Sequence, residues 1–448
     1  MEKISTGMFL PDSLIIHLSF PVNNWKTCKN LTEEEKAAFL HEYIHYLQAI
    51  SFPISLKYLC VSLQIVQLYL NKIALSKEKK VEIPINFAKL ADKDVNYSNL
   101  EIQKCLFDLH FNYNQNEIDT IIEITDVSIK TDNIIFDYIT SICKGNDIES
   151  LQKNMEYVSI SYLSCECSNN EYVLDAHCIK ESMAYMIEKE VFHSKLTPPD
   201  FPYNVCLYVC KKLYPAFSKK TWRIVALCEI SLLFLNPGVW FYQILIKMRD
   251  MSFLPTTKND FISYITQNIF DEDMLLDPYL DILSELKKTI DTLYPSTSQI
   301  ECINKTRIWL HDVLKNMHIL RNTDLLCITN IILVDSPLKY IKHLVAKLHI
   351  PPIIDKDNII SNPQDKDYIF SLLIIKSLMD LFEKNGNNDT PFQCSMYKIC
   401  QANNSPVFDE TICSLHPWNN TKGPQKYTCL LGVYWILFSL TGKELYVN

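Results

Sequence analysis

The sequence predicts a predominantly α-helical α+β fold. Hydrophobic residues make up 48% of the 448 residues and charged residues 21%, which is the composition of a folded globular protein. Apolar residues recur at helical spacing over most of the chain, and short stretches that alternate between apolar and polar residues predict a small sheet. Only 7 residues are glycine, whereas average usage would give about 31. The turns between helices therefore depend little on positive φ angles.

The first two elements are a strand and a long helix. Residues 8–22 alternate imperfectly between apolar and polar side chains, which indicates a strand. Thr32 is a favourable N-cap, and Glu35 three residues later completes a capping box. Pro53 ends the helix that begins there, and a second helix is predicted over 56–74. The N-terminal part of the chain is therefore mainly helical.

The middle of the chain contains a predicted hairpin between helices. Residues 86–150 indicate short helices joined by polar turns. From residue 157 to residue 174 the pattern has period two, which predicts a β-hairpin. A helix over 176–192 follows, and further helices are predicted over 203–214 and 220–250.

The remainder of the chain is predicted to be helical up to its last part. Residues 258–384 form amphipathic helical segments, interrupted at Pro295, at Pro337 and at Pro351 with Pro352. Residues 385–427 are rich in asparagine, proline and cysteine, and we expect them to be irregular.

Charge and glycine usage argue against two classes of partner. The formal net charge is -9, which disfavours nucleic acid as the main partner. Neither GxGxxG nor GxxxxGK[ST] occurs, so the clustered glycines that bring a backbone close to phosphate are missing from the sequence. Nucleotide-dependent chemistry of those classes is therefore excluded.

Two apolar stretches were tested as membrane spans. Residues 224–246 contain Glu229 and the breaker Asn236-Pro237-Gly238, which suits two buried segments better than one span. Residues 428–440 number about 13, too few to cross ~30 Å of hydrocarbon as a helix. We therefore expect no membrane association.

The 16 cysteines do not by themselves indicate an oxidised, secreted protein. The first twenty residues lack the basic region, continuous apolar core and small-residue cleavage site of a signal peptide. A chain of this length can be stabilised by its core without disulfides. We therefore expect a reducing, cytoplasmic environment.

The strongest chemical signal is the segment His41-Glu42-Tyr43-Ile44-His45. Residues four apart lie on one face of a helix, so both imidazoles can bind one metal ion, with Glu42 beside them. This is the HExxH arrangement of zinc hydrolases. The flanking residues are uncharged, which places the motif on a buried helix where histidines need a partner. The plain alternative is a core helix that happens to carry two histidines.

A third ligand must come from another element. A catalytic zinc normally has three protein ligands and an open fourth position. Glu181 near the start of the helix after the hairpin is the best candidate, and Glu188 two turns on is the reserve. Ala184 between them would let this helix pack closely against the first. A solvated helix carboxylate is the alternative interpretation of Glu181.

The HExxH segment and the distant Glu181 together resemble the gluzincin branch of the zincin metallopeptidases. The likeness is at the level of motifs and covers about 25 residues. It implies one zinc ion bound by His41, His45 and Glu181, with Glu42 as the general base of peptide-bond hydrolysis. The metzincin pattern HExxHxxGxxH does not fit, because Gln48 and Ser51 occupy the positions of its glycine and third histidine.

The resemblance also implies a domain organisation and a substrate class. Residues 1–255 would be a zincin-like catalytic half with a small sheet, and residues 256–448 a helical C-terminal half. That second half would shape the cleft or bind a regulatory protein, and the substrate would be a protein or peptide. Many gluzincins place asparagine before the third ligand and aspartate four residues after it. This chain has Lys180 and Tyr185 there, so the groups that orient the histidines must differ.

The tetrahedral intermediate of peptide-bond hydrolysis carries an oxyanion, which a hydrogen-bond donor should stabilise. Tyr185, His177 and Tyr157 are the candidates near the third ligand in sequence. Each of them can also be an ordinary packing residue with one satisfied polar end.

Three alternatives remain open at this stage. Glu42 with His45, and Glu190 with His193, are two ExxH pairs of the kind that build di-iron sites in helical bundles. The chain could instead be a non-catalytic helical interaction protein with a structural or metal-binding histidine pair. Separately, four C-terminal residues could bind a structural zinc ion: Cys394, Cys400, Cys413 and His416.

Overall fold

The described part of the chain is mostly helix with small sheets, which confirms the predominantly helical α+β class. The computed structural model describes residues 7–22, 31–83, 117–131, 156–164, 170–193, 197–269, 272–296, 301–361, 367–383, 393–405, 407–419 and 429–447. The helices are α1 (Glu33–Ser51), α2 (Pro53–Leu75), α3 (Ala176–Phe192), α4 (Asp200–Tyr203), α5 (Val205–Leu213), α6 (Thr221–Ser231), α7 (Pro237–Asp250), α8 (Lys258–Asn268), α9 (Glu272–Leu293), α10 (Glu301–Thr323), α11 (Asn330–Leu333), α12 (Pro337–Leu348), α13 (Asp367–Glu383), α14 (Tyr397–Ala402), α15 (Glu410–Leu415) and α16 (Leu430–Leu437). The strands are β1 (Gly7–Leu10), β2 (Ile15–Leu18), β3 (Lys80–Ile83), β4 (Ile121–Thr131), β5 (Glu156–Ser164), β6 (Asn170–Leu174), β7 (Ile353–Ile354), β8 (Ile360–Ser361) and β9 (Glu444–Val447).

Helix α1 begins where the capping residues predict. The Glu35 amide donates to the Thr32 hydroxyl over 3.1 Å, and the Thr32 amide donates to the Glu35 carboxylate over 2.8 Å. The helix ends at Ser51, and Pro53 then opens α2, since a proline at the first helical position loses no hydrogen bond. Both predicted N-terminal helices are therefore present.

The strand predicted over 8–22 is a hairpin. Strands β1 and β2 pair antiparallel, and Leu14 in the turn between them has a φ of 52°. Strand β2 then pairs in parallel with β7, and β7 with β8. A second sheet joins β3 to β9, near the other end of the chain. The first strands are thus tied to distant parts of the sequence.

The third sheet contains the predicted hairpin and one unpredicted strand. Strands β5 and β6 form the hairpin, and β4 pairs antiparallel with β5. The prediction of short helices over 86–150 is therefore wrong for 121–131. Register irregularities in β4 displace its buried residues from strict alternation, which obscured the strand in the sequence. Residues 86–116 and 132–150 lie outside the described residues.

Other boundaries follow the prolines. The predicted helix over 220–250 divides into α6 and α7, with Pro237 opening the second. The segment over 385–427, predicted to be irregular, contains the short helices α14 and α15 in its described part. Hydrophobic residues on both sides of residue 255 belong to one core, in which α2 packs on α9 and α1 on α10. The division into 1–255 and 256–448 stays a prediction.

One described helix, Pro53–Leu75, is long and apolar enough by composition to span a membrane. In its most apolar window 56% is buried inside the protein, and core helices of soluble proteins pass the same test. The two stretches first considered as spans form shorter helices in the described residues. The structure is thus compatible with a soluble protein, and the cytoplasm stays an expectation.

Candidate metal centre

Two packed helices carry the predicted site residues. Helix α1 contributes His41 and His45, and α3 contributes Glu181. Helix α3 begins directly after β6, where the Asp175 carboxylate accepts a hydrogen bond from the Cys178 amide over 2.8 Å. The hairpin and its cap therefore fix where α3 starts, and so which of its faces meets α1.

The three predicted ligands converge on one point. His41 Nε2 lies 3.0 Å from His45 Nε2 and 3.1 Å from Glu181 Oε2. The other carboxylate oxygen of Glu181, Oε1, lies 3.2 Å from His45 Nε2. These side chains are 11–15% exposed, so the group is largely shielded from water but reachable. Among the described residues, these three have one ligand atom each within 4.8 Å of one another, and they could hold a metal ion.

The far nitrogen of each imidazole has its own partner. His41 Nδ1 lies 3.2 Å from Glu188 Oε2, and His45 Nδ1 lies 2.8 Å from Gln48 Oε1. Both partners are oxygen acceptors, so each Nδ1 carries a proton, and each Nε2 is the nitrogen that can present a lone pair to a metal ion. The two Nε2 atoms lie 3.0 Å apart, so a cation must lie between them, either a proton on His41 or a metal ion. Histidine ligands of metal ions show this arrangement, in which the outer nitrogen donates to a carboxylate or carbonyl.

Glu188 therefore has a different role in the cluster from the one that the sequence predicted. The sequence offered it as a reserve ligand, but its carboxylate contacts the outer nitrogen of His41. Gln48 acts similarly on His45, and its amide also donates to the Lys180 carbonyl over 3.1 Å, which ties α1 to α3. The sequence marked Gln48 only as a departure from another pattern.

The electrostatics of the cluster favour a cation. Burial alone would raise the pKa of Glu181, but His45 and His41 hold it well below its usual range. Burial alone would lower the pKa of His41, but its hydrogen bonds with Glu181 and Glu188 raise it to about 10. Without a metal ion, a proton on His41 supplies the positive charge that these carboxylates need. A divalent cation would supply it more fully.

Glu42 lies beside the ligands and against strand β1. Its side chain is nearly buried, and that burial raises its pKa, although His41 and His45 partly offset the shift. The Phe9 amide donates a hydrogen bond to its carboxylate. A Cβ atom at Gly7 would lie 2.7 Å from Glu42 Cγ, so a side chain there would displace Glu42. Strand β1 therefore fixes the position of this carboxylate.

The three predicted oxyanion donors have different environments. His177 Nδ1 lies 3.8 Å from Glu181 Oε1, and the side chain is 42% exposed, so it stands at the rim of the cluster. Tyr185 is buried, and its hydroxyl accepts a hydrogen bond from Lys189. Tyr157 lies on β5 opposite Lys130. His177 is therefore in ion-pair distance of a predicted ligand.

Tyr203 is a residue that the sequence did not single out. Its ring centroid lies 6.0 Å from that of His41 and 6.0 Å from that of Tyr185. Burial raises the pKa of its hydroxyl, and nearby carboxylates including Glu181 and Glu42 raise it further. The phenol therefore stays protonated and able to donate. Tyr203 belongs to α4, beyond a turn, so no spacing along α1 or α3 could have indicated it.

The second ExxH pair lies elsewhere. Glu190 and His193 are exposed and line a cavity of about 380 Å³ together with Lys189 and Asn204. Nine residues separate Glu190 from Glu181 on α3, which places it on the opposite helix face. The geometry therefore does not support the di-iron alternative.

Comparisons with known proteins give no family for this chain. No protein-family model, curated protein or solved structure matches it. A functional proposal must therefore rest on the residues of the cluster.

Proposed function

We propose that this chain is a zinc metallopeptidase that hydrolyses a peptide bond in a protein or peptide substrate. The observation that carries the proposal is the His41–His45–Glu181 group, in which both imidazoles present Nε2 to the same point. The outer nitrogens are held by Glu188 and Gln48. If the two histidines were incidental residues of a core helix, nothing would require a carboxylate from another helix to lie between their rings.

The donor set fits zinc. Two imidazole nitrogens and one carboxylate oxygen match the His₂Glu ligands of catalytic zinc sites, which leave a fourth position open. Calcium and magnesium favour all-oxygen surroundings. Partial exposure of His41, His45 and Glu181 leaves an approach for a fourth ligand.

A bound zinc ion would polarise a substrate carbonyl and lower the pKa of a water molecule. Glu42 is the proposed proton acceptor, because burial raises the pKa of its carboxyl and so makes it a better base near neutral pH. The same carboxyl can afterwards donate the proton to a leaving amine. Tyr203, and His177 at the rim, are the proposed donors to a developing oxyanion.

The wider expectations belong to this proposal. The substrate class is protein or peptide, without nucleic acid or membrane as partner, and the compartment is the cytoplasm. Helices after residue 255 pack against α1 and α2, so a regulatory partner bound there could influence the cluster.

The test is the exchange of Glu42 for glutamine in zinc-loaded protein. Wild type and Glu42→Gln are incubated with a quenched fluorescent peptide library, and products are identified by mass spectrometry. Glu42→Gln should keep its zinc and lose about 10²–10⁴-fold in cleavage rate, because the amide cannot accept the proton. Glu34→Gln, an exposed change on the same helix, should cleave like wild type.

Two results would contradict the proposal. Cleavage by Glu42→Gln at the wild-type rate would remove Glu42 from the mechanism. A wild type that binds zinc at the cluster but cleaves no member of the library would favour the non-catalytic alternative.

A further inference from the structure

A cavity of about 380 Å³ lies beside the candidate metal centre, and the proposed mechanism does not use it. The second half of α3, the start of α5 and the start of α6 line this cavity. Its volume is within the range of ligand-binding cavities, which is about 300–1,000 Å³. The cavity is therefore large enough to receive a side chain of a bound molecule.

Aromatic side chains connect the cavity to the metal cluster. Tyr185 lines the cavity, and its ring centroid lies 6.0 Å from that of Tyr203, which in turn lies 6.0 Å from that of His41. Along α3, Glu181, Tyr185 and Lys189 follow one another at four-residue spacing, so neighbouring members share a helix face. A helix rises about 1.5 Å per residue, which places Lys189 about 12 Å along α3 from Glu181.

That separation suits an extended peptide. A peptide in a strand conformation advances about 3.3 Å per residue. If its scissile bond lies at the metal cluster, a side chain within about four residues of that bond can enter the cavity.

The polar groups of the cavity favour a negatively charged occupant. The Lys189 ammonium lies 5.4 Å from the centroid of the Tyr185 ring and donates to the Tyr185 hydroxyl over 3.4 Å. Within the described part of the chain, this ammonium has no carboxylate in ion-pair distance. The Tyr185 hydroxyl accepts from Lys189 and can still donate its own proton. Thr221, which also lines the cavity, opens α6, and the first turn of that helix contains no acidic residue.

The rest of the lining determines which kind of anion fits. One carboxylate, that of Glu190, lines the cavity, but successive residues of a helix point about 100° apart, so Glu190 and Lys189 face different sides of it. Met186, Leu207 and Ile224 supply apolar surface. Methylene groups of a side chain can pack on this surface while its charged end meets the ammonium. A small inorganic anion would leave the apolar surface uncovered.

We propose that this cavity is a substrate subsite that binds an aspartate or glutamate side chain of the peptide being cleaved. The proposal rests on the proposed function, because the metal cluster fixes where the scissile bond lies. Lys189 pairs with the carboxylate of the substrate and so determines the specificity, and the Tyr185 hydroxyl donates to the same carboxylate. Hydrogen bonds to a charged group of this kind change an affinity or a kcat/KM by about 10–100-fold.

The cleavage preference of wild type and of Lys189→Glu tests the subsite. Both zinc-loaded proteins are given the quenched fluorescent peptide library, and the products are identified by mass spectrometry. Wild type should prefer aspartate or glutamate at one position within about four residues of the cleaved bond. Lys189→Glu should prefer lysine or arginine at that position, and its kcat/KM for the acidic peptides should fall about 10–100-fold.

Lys211→Glu is the matched control. Lys211 is also exposed and also lies over a tyrosine ring, 5.2 Å from the centroid of Tyr208, but it does not line the cavity. Its variant should cleave with the wild-type preference, and both variants should contain as much zinc as wild type. If Lys189→Glu cleaves with the wild-type preference, the subsite is overturned while the metallopeptidase proposal stands.

Peptide binding to zinc-loaded Glu42→Gln tests the subsite without turnover. Peptides that this protein retains from the library should contain aspartate or glutamate, and their asparagine or glutamine counterparts should bind about 10–100-fold more weakly. Adding Lys189→Glu to Glu42→Gln should remove this difference. Equal binding of the acidic peptides and their counterparts, or binding of neither, would overturn the subsite whether or not wild type cleaves any peptide.

Discussion

Two buried polar clusters in this molecule contain a glutamate from one helix and partners from others, yet they are built differently. Glu229 on α6 is fully buried and pairs with Arg321 on α10. Glu181 on α3 lies between two imidazoles of α1. Both join packed helices, but the Glu229 side chain is fully buried whereas that of Glu181 is 15% exposed.

The partners of Glu229 all donate hydrogen bonds to its carboxylate. Arg321, the Ile328 amide at 3.0 Å and the Thr329 amide at 2.7 Å all direct hydrogens at its carboxylate, and the Thr329 hydroxyl also donates. Arg321 in addition donates to Ser51 at the end of α1. One positive and one negative charge balance each other. The charges of this cluster are therefore balanced without a bound cation.

The partners of Glu181 are acceptors as well as donors. With both outer nitrogens protonated, the Nε2 atoms of His41 and His45, 3.0 Å apart, need a proton or a metal ion between them. Glu42 and Glu188 add further negative charge nearby. This surplus of acceptors makes the Glu181 cluster a candidate cation site, whereas the Glu229 cluster is a balanced structural network. This difference yields separate predictions for each cluster.

The largest expected effect is on stability at the Glu229 cluster. Arg321→Met should lower the free energy of unfolding by about 3–5 kcal/mol, because it leaves the Glu229 carboxylate buried without its cation. Urea unfolding measures this, and zinc content should not change. Arg249→Met, which removes an exposed pair with Asp250, should change stability by less than about 0.5 kcal/mol.

If Arg321→Met leaves the free energy of unfolding nearly unchanged, this account of the Glu229 cluster is contradicted. It would mean that Glu229 is neutral or hydrated in the folded protein. A loss of zinc would instead show that the two clusters are coupled through α1.

A smaller effect is expected from Glu188→Gln at the α1–α3 cluster. The amide oxygen can still accept from His41 Nδ1, but the negative charge that makes the imidazole a better ligand is lost. Zinc affinity should fall about 10–100-fold while the fold is kept. Competition with a chromogenic chelator measures the affinity. Glu190→Gln, on the exposed face of the same helix, is the matched control and should bind zinc like wild type.

If Glu188→Gln loses its zinc completely, Glu188 is itself a zinc ligand, which is the reserve role that the sequence gave it. Unchanged affinity would remove it from the site altogether.

Local signals explain what the sequence could predict. Thr32 and Glu35 act within one turn, so the start of α1 was visible. The four-residue spacing placed His41 and His45 on one face, and the hairpin before α3 made Glu181 a candidate. Each of these inferences needed only neighbouring residues.

Long-range packing explains what the sequence could not predict. Pairing of β2 with β7 joins residues more than three hundred positions apart. Tyr203 reaches His41 only because α4 folds back beside α3. No periodicity or spacing records such contacts. The orienting role of Gln48 was also missed, because the sequence does not show that its amide oxygen accepts from the His45 ring one turn before it.

Zinc content of wild type and of His41→Ala/His45→Ala, measured side by side after purification, tests the central claim most directly. The double variant should contain one zinc per chain less than wild type. Equal zinc in wild type and the double histidine variant would contradict the account, because the converging Nε2 atoms would then hold no metal.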